Sequence, residues 1–162
     1  MKVICISGSV GSGKTTLAKK LMEKLDYPVL DVKKLIKEKR LAGYYDKRRR
    51  CDVVDTKTLN EDIIKEIKKA KENKPEGIII ESHLSHYLPK RYVDLCIITK
   101  CDIEELNKRL KKRRYAKDKI KENIECEIFD ICLDEAREKR HNILVINTTK
   151  ALNMAKISKA LR

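Results

Sequence analysis

The residues with the clearest chemical signature form a glycine-rich turn near the start of the chain. Residues 8–15, GSVGSGKT, match the phosphate-loop pattern G-x-x-x-x-G-K-[ST] without exception. The turn follows the apolar run KVICIS and precedes leucines at helical spacing, which is the context that the motif requires. Glycines let backbone N–H groups approach a phosphate, and the start of a helix attracts the same anion. We therefore predict a nucleoside triphosphate site whose phosphate contacts come from Gly11, Ser12, Gly13, Lys14, Thr15 and Thr16.

Three of these residues have distinct predicted roles. Lys14 is expected to bridge the β- and γ-phosphates, and the Thr15 hydroxyl is expected to ligate Mg²⁺. Thr16 is expected to reach the α-phosphate through its backbone or its hydroxyl.

A carboxylate is expected beside such a loop, because the Mg²⁺ ion of a triphosphate needs oxygen ligands from a neighbouring strand. Glu81 ends the apolar run GIIIE, so it is predicted to lie at the phosphate end of the sheet and to hold the metal with Thr15. His83 follows two residues later and is predicted to organise water or metal near the phosphates. Alternatively, Glu81 is only a residue of a surface turn, and His83 only makes a structural hydrogen bond.

Phosphoryl transfer spreads negative charge over the group in transit, so cations must close around it. The segment from Arg109 to Lys119 supplies them, with Arg113 as the first candidate and Arg109 as the second. The alternative is that these cations only stabilise the negative C-terminal end of the helix dipole and remain solvated. This alternative must hold for several of the lysines.

Apolar runs alternate with amphipathic segments along the chain. Strands are predicted within residues 2–7, 27–32, 77–81, 92–99 and 142–147. Helices are predicted over residues 14–25, 33–39, 58–73, 102–114, 119–139 and 150–161. The alternation predicts one α/β domain over residues 1–162, with a parallel sheet covered by helices on both faces.

The segment over residues 31–54 departs from this rhythm and is expected to bind a second substrate. Arg40 and the cluster Arg48–Arg50 could hold a monophosphate, and Tyr44 or Tyr45 could stack on a base. The arginine cluster could equally serve RNA or solubility.

Composition adds constraints on partners and compartment. The formal net charge is +14, which favours polyanionic partners such as RNA, although a solvated lysine surface is an equal alternative. None of the six cysteines form a C-x-x-C pair, so a zinc knuckle is not expected, and Cys5 and Cys96 are predicted to be reduced core residues. No apolar stretch approaches the ~20 residues that span a bilayer. The expected location is the cytoplasm or, in a eukaryote, the nucleus.

Taken in order, five stretches of the chain resemble the adenylate kinase isoenzyme 6 family, also called CINAP. They are ISGSVGSGKTTLAKKL, GYYDKRRRCDVVD, IIIESHLSHYLPKRYVDLCIIT, LNKRLKKRRYAKDKIKENIECEIF and INTTK. The phosphate loop alone is generic, whereas the NIECEIF run and the ESH segment are much more specific.

The resemblance implies a P-loop NTPase fold with five parallel strands in the order 2-3-1-4-5, an NMP-binding segment over residues 31–54 and a short LID over residues 112–122. It implies the reaction of ATP with AMP to give two ADP, with Mg²⁺, together with ATPase activity. It also implies a role in small ribosomal subunit maturation through a small-subunit ribosomal protein and contact with pre-rRNA. Arg113 matches the family's LID arginine, Lys150 a late residue near the adenine, and Glu81 with His83 the acidic-x-His motif.

Three positions depart from the family's usual residues. Glu81 replaces Asp, Lys34-Leu35 replaces Asp-Leu, and Arg114 follows the LID arginine where Gly is usual. Besides an adenylate kinase, the residues leave open a ribosome-assembly ATPase that acts mainly as a binding and release module, and a P-loop kinase for another small molecule such as shikimate or a nucleoside.

Overall fold

The computed structural model describes residues 1–47, 51–152 and 154–161. Its strands are β1 (Lys2–Ser7), β2 (Val29–Asp31), β3 (Ala42–Asp46), β4 (Cys51–Val54), β5 (Gly77–Glu81), β6 (Leu95–Lys100) and β7 (Ile143–Asn147). Its helices are α1 (Lys14–Leu25), α2 (Val32–Glu38), α3 (Thr56–Glu72), α4 (Ile103–Lys112), α5 (Lys117–Ile128), α6 (Ile131–Glu138) and α7 (Met154–Ala160). Short 3₁₀ turns at Ser85–Tyr87 and Lys90–Tyr92 follow β5.

Five strands form one sheet in the order β2-β5-β1-β6-β7, and every pairing within it is parallel. Counted along the chain without β3 and β4, this is the order 2-3-1-4-5, so the predicted topology is confirmed. β1 lies at the centre, and the phosphate loop that follows it emerges at the carboxyl edge. In parallel sheets the crevice outside that edge is where ligands bind.

Helices cover both faces of the sheet, which explains why the central strands are apolar without alternation. Val3 and Cys5 of β1 pack on the face that α3 and α6 cover, whereas Ile4 and Ile6 pack on the opposite face. The second face is covered by α1 and α7, whose Leu17, Leu21 and Ile157 are buried. Cys5 and Cys96 are both buried and free, as predicted.

Two predicted elements differ from the structure. The helix predicted over residues 119–139 is two helices, α5 and α6, because Asp130 adopts a left-handed conformation with φ 54° and turns the chain between them. The segment over residues 31–54 contains an antiparallel hairpin of β3 and β4, where only an irregular excursion was predicted. Arg48–Arg50, the predicted monophosphate cluster, lies outside the described residues.

Among the helices that the structure describes, none is long and apolar enough to cross a bilayer.

Candidate phosphate-transfer site

The phosphate loop joins β1 to α1 at the carboxyl edge of the sheet. Gly13 caps α1 in the left-handed region at φ 89°, and a β-carbon there would lie 2.9 Å from Thr148 Oγ1. Glycine is therefore required both by the backbone angle and by the packing. Over residues 13–25 no side chain caps α1, and its first turn carries no acidic residue. The N-terminus of α1 thus offers unpaired N–H groups and a positive dipole end to an anion.

The other residues predicted to contact phosphate differ in their exposure. Thr15 and Thr16 are exposed in the first turn of α1, whereas Gly11 is buried within the loop. Ser12 is fully buried, and its hydroxyl lies 2.6 Å from Thr99 Oγ1 at the end of β6. A contact from Ser12 to a nucleotide would consequently come from its backbone.

Lys14 turns its ammonium back over the loop. Its Nζ donates to the carbonyl of Gly8 at 2.9 Å and to that of Ser9 at 2.8 Å. Burial lowers the pKa of Lys14, while the charge of Glu81 opposes that shift. The two bonds account for two of the three N–H groups of the ammonium, and a phosphate oxygen can accept from the third.

Glu81 lies beside the first turn of α1, as the strand-end position predicts. Thr15 Oγ1 donates to Glu81 Oε2 at 3.4 Å. Burial raises the pKa of Glu81, the charge of Lys14 lowers it, and Asp31 on the adjacent strand raises it. The two oxygens fit Mg²⁺, because neighbouring ligands in an octahedral shell at about 2.1 Å lie about 3 Å apart.

His83 lies near the same charges. Desolvation lowers the pKa of His83 to about 4, and the charge of Lys14 adds to the effect. The side chain is nevertheless exposed, so contact with solvent limits the desolvation. Either way the shift is downward, and the imidazole is neutral at pH 7 and able to accept or donate a hydrogen bond.

The cationic candidates lie on and after α4. Arg113 is exposed at the C-terminus of α4, and its charge contributes to the pKa values of both Lys14 and Glu81. Arg109 instead donates to the Thr148 carbonyl at 3.0 Å and to Glu105 at 2.9 Å, so its guanidinium braces the loop after β7. Lys150 is exposed in that loop, two residues beyond Thr148. Thr148 itself donates to the Ser12 carbonyl at 2.7 Å and was missed by sequence reasoning.

A carboxylate that sequence reasoning gave no role holds the phosphate loop from the other side. Glu127 of α5 is 5% exposed and accepts from Ser9 Oγ at 2.5 Å and from the Cys101 backbone N–H at 2.7 Å. One turn earlier, Asn123 Oδ1 accepts from the Val10 backbone N–H at 3.1 Å. Both residues belong to the NIECEIF run, whose specificity was the available signal.

The segment over residues 31–54, which was predicted to bind the second substrate, presents polar and aromatic groups to solvent. Tyr44 and Tyr45 are 64% and 56% exposed on β3, and Arg40 is exposed with φ 53°. Asp31, at the end of β2, caps α2 by accepting from the Lys34 backbone N–H at 3.1 Å. The segment begins beside Glu81, because Asp31 and Glu81 are paired in register.

The structure thus gathers Lys14, Thr15, Glu81, His83 and Arg113 around one loop at the carboxyl edge of the sheet. This arrangement combines an anion-binding loop, two oxygen ligands for a divalent cation and a long cationic side chain. It is suited to holding a nucleoside triphosphate and neutralising its terminal phosphate.

Comparison with known proteins identifies the family of the chain. A family model described as an AAA domain matches residues 4–130. A Caenorhabditis elegans protein named adenylate kinase isoenzyme 6 homolog is 37% identical over 135 residues, which cover 83% of this chain and 72% of that protein. A Dictyostelium discoideum protein of the same name is 32% identical over 143 residues, which cover 88% of this chain and 78% of that protein.

Solved structures agree on the fold. A Chloroflexus aurantiacus crystal structure covers 99% of this chain with a TM-score of 0.59 at 18% identity, and this chain covers 96% of it. A Eubacterium ventriosum protein covers 98% with a TM-score of 0.58 at 16% identity. At such identities the likeness concerns the fold alone, whereas the phosphate loop and the curated relatives fix the family. The chain belongs to the adenylate kinase isoenzyme 6 family of P-loop kinases.

Proposed function

We propose that this protein is an adenylate kinase, which transfers the γ-phosphate of ATP to AMP and yields two ADP. The observation that carries the proposal is the convergence of Lys14, Arg113 and the Thr15–Glu81 pair on the phosphate loop. The relatives named as adenylate kinase isoenzyme 6 homologs support AMP as the acceptor.

Each residue has a part that its geometry supports. The loop amides and the N-terminus of α1 hold the β- and γ-phosphates, and Lys14 donates its remaining N–H to them. Thr15 and Glu81 would hold Mg²⁺, which would neutralise phosphate charge. His83, neutral at pH 7, is proposed to organise water or metal near the phosphates.

Arg113 and the β3–β4 hairpin are the groups proposed to close over the two nucleotides. Arg113 lies in the turn between α4 and α5, within residues 112–122 of the proposed LID, and its charge acts on Lys14 and Glu81. We expect its guanidinium to close onto the transferring phosphate. Tyr44 and Tyr45, exposed on the β3–β4 hairpin, are proposed to stack on the acceptor base. Alignment of two nucleotides and exclusion of water then lower the barrier. Lys150 is proposed to lie near the adenine of ATP.

A coupled assay that detects ADP tests the proposal with ATP and each nucleoside monophosphate. AMP is expected to be the best acceptor, and a dinucleoside pentaphosphate that joins both substrates is expected to inhibit. Arg113→Ala should lower kcat by about 10²–10³-fold, the size seen when a transition-state donor is removed. Lys112→Ala is the matched control, because Lys112 is the neighbouring exposed cation at the same helix end. Failure of every monophosphate to yield ADP would remove the kinase assignment.

We further propose ATPase activity and a role in small ribosomal subunit maturation, through a small-subunit ribosomal protein and pre-rRNA. The net charge of +14 supports a polyanionic partner. Phosphate release from ATP without an acceptor, stimulated by such a protein, is the expected result. Co-sedimentation with precursor subunits that disappears at moderate salt would indicate non-specific charge attraction instead. If ATP hydrolysis without an acceptor is the only activity detected, the protein is an assembly ATPase with little kinase function.

A further inference from the structure

A second cluster of metal-ligating side chains lies behind the phosphate loop, apart from the Thr15–Glu81 pair. The ligand atoms of His86, Cys132 and Glu135 all lie within 4.8 Å of one another. His86 is 1% exposed and Cys132 is 9% exposed. A second thiol adjoins them, since Cys126 Sγ lies 3.7 Å from Cys132 Sγ.

Three elements bring these residues together, which is why no C-x-x-C motif marks them. His86 lies in the 3₁₀ turn after β5, Cys126 is on α5, and Cys132 and Glu135 lie three residues apart on one face of α6. The left-handed Asp130 folds α5 back against α6 and thereby places the two thiols side by side.

Two of the spacings suit a tetrahedral ion with sulfur, nitrogen and oxygen ligands. Among these residues Cys126 adjoins Cys132 alone, so its thiol would have to approach His86 and Glu135 when the ion binds. Zn–S bonds of about 2.3 Å place two thiolates about 3.8 Å apart, close to the 3.7 Å between Cys126 and Cys132. His86 Nε2 and Glu135 Oε2 lie 2.9 Å apart, and they need to separate by only a few tenths of an ångström to reach the ~3.4 Å of a Zn²⁺ site.

The surroundings of the cluster orient these ligands. Tyr87 donates its hydroxyl to Glu135 Oε1 at 2.5 Å, and Ser7 Oγ lies 2.6 Å from His86 Nδ1. Ser7 also has an alternative acceptor, the His83 carbonyl at 3.2 Å. His86 Nε2 lies in hydrogen-bond contact with Glu135 Oε2, which the metal would replace. When Ser7 donates to the His83 carbonyl, His86 can donate its Nδ1 proton to Ser7 Oγ, and the deprotonated Nε2 can bind the metal. Such partners on the far ring nitrogen are typical of zinc-binding histidines.

The protonation states of two ligands suit a metal, and that of the third does not. Burial lowers the pKa of His86, although Glu135 opposes the shift, so the imidazole is neutral at pH 7. The hydrogen bond between the two thiols lowers the pKa of Cys126 to about 7, whereas that bond and burial raise the pKa of Cys132, so the metal itself has to displace the Cys132 proton. Glu135 has 31% of its side chain exposed, which leaves an approach for the ion.

We propose that Cys126, Cys132, His86 and Glu135 form a structural Zn²⁺ site that ties the α5–α6 corner to the turn after β5. Binding releases one proton from each thiol, and the proton on the neutral imidazole resides on Nδ1. Because α5 carries Glu127 and Asn123, the ion would also fix the helix that holds the phosphate loop. The inference does not depend on which phosphate acceptor the enzyme uses.

Cobalt substitution in the full chain, kept reduced with a phosphine, tests the site. Equimolar Co²⁺ should give the intense visible bands of tetrahedral cobalt and a thiolate charge-transfer band, and Zn²⁺ should abolish both. Saturating Mg·ATP should leave them unchanged, because the Thr15–Glu81 oxygens would hold cobalt only with weak octahedral absorption. Cys132→Ser should weaken Zn²⁺ binding by more than the 10–100-fold expected for loss of an outer partner. Cys101→Ala, which removes another buried free thiol, should leave binding unchanged.

A measurement on the wild-type chain avoids any folding defect of the variants. Zn²⁺ should slow alkylation of Cys126, read by mass spectrometry of the digested protein. Purely octahedral cobalt spectra in the wild type, or an alkylation rate that Zn²⁺ does not change, would overturn the site. A thiolate band that survives in a correctly folded double variant, Cys126→Ser with Cys132→Ser, would overturn it too.

Discussion

Replacement of Glu127 by glutamine tests whether α5 holds the phosphate loop in place. The Glu127 carboxylate accepts from Ser9 Oγ at 2.5 Å and from the Cys101 N–H at 2.7 Å, and it lies 3.3 Å from Lys100 Nζ. Glutamine has nearly the same shape, so Glu127→Gln keeps an acceptor for the Cys101 N–H and offers an amide to the Ser9 hydroxyl. What it removes is the negative charge.

The magnitude follows from those contacts. Hydrogen bonds to a charged group contribute about 1.5–3 kcal/mol, against about 0.5–1.5 kcal/mol for neutral ones. Two such bonds lose that difference, while Lys100 retains Asp130 at 2.6 Å, so we expect Glu127→Gln to lower the free energy of unfolding by about 2 kcal/mol. Glu127→Ala leaves two buried donors without partners, at about 1–3 kcal/mol each, and should cost about 4 kcal/mol.

Urea unfolding measures the change in the free energy of unfolding, and titration with a fluorescent ATP analogue measures the change in ATP affinity. If about 1.4 kcal/mol of the loss acts on the loop conformation, ATP affinity falls about tenfold. Glu125→Gln is the matched control, because Glu125 lies exposed on the same helix, 3.8 Å from Lys121, and should change stability by about 0.5 kcal/mol or less. Equal effects of Glu127→Gln and Glu125→Gln on both stability and affinity would refute the reasoning.

Four further outcomes follow from the site and the turn after α4. Arg114 has φ 55° at the end of α4, so Arg114→Gly should raise the free energy of unfolding by about 1 kcal/mol in urea, and an equal gain from Arg114→Ala would contradict the strain argument. Because burial raises the pKa of Glu81 in the folded state, the ionised carboxylate lowers the stability of the fold above that pKa. Glu81→Gln should therefore keep or raise the Tm in calorimetry. The same variant should lower Mg²⁺-dependent turnover at least about tenfold. Acidification through the raised pKa should likewise weaken Mg·ATP binding, seen by titration at falling pH. Since the pKa of His83 is lowered to about 4, the kcat/KM profile should carry no inflection near 6.5 from His83, and an inflection there that vanishes in His83→Asn would contradict this.

The sheet and the phosphate loop were predictable because their signals are local. Five apolar runs separated by helical segments can form little but a parallel sheet, and the loop motif constrains eight consecutive residues. Glu81 was predictable for the same reason, since the end of an apolar run marks the carboxyl edge of a strand. The strand order came from the family resemblance and not from periodicity.

Contacts between distant residues were not predictable in this way. Glu127 lies on a helix with many charged residues, and nothing in its spacing shows that this carboxylate alone is buried under the loop, 118 residues from Ser9. The break at Asp130 was missed because the apolar spacing continues from α5 into α6. The left-handed conformation at that residue interrupts the backbone without interrupting the pattern.

Arg114 shows how a departure from a family pattern becomes intelligible in the structure. Tyr115 N–H donates to the Leu110 carbonyl and Arg114 N–H to the Lys111 carbonyl, which is the hydrogen-bond pattern of a Schellman motif. That motif requires a left-handed residue at the position of Arg114, where glycine is favoured. Arginine adopts the conformation against its own preference, at an energetic cost that Tyr115 packing near Leu110 helps to offset.

The same contacts limit how the LID can move. Arg109 ties α4 to the loop after β7, while Asn123 and Glu127 tie α5 to the phosphate loop. Because both helices are anchored near the ATP phosphates, a large rotation of the LID would break buried hydrogen bonds. Closure should therefore be confined to the few residues around Arg113 that join the two helices, and a short movement of that one guanidinium is what the site requires of it.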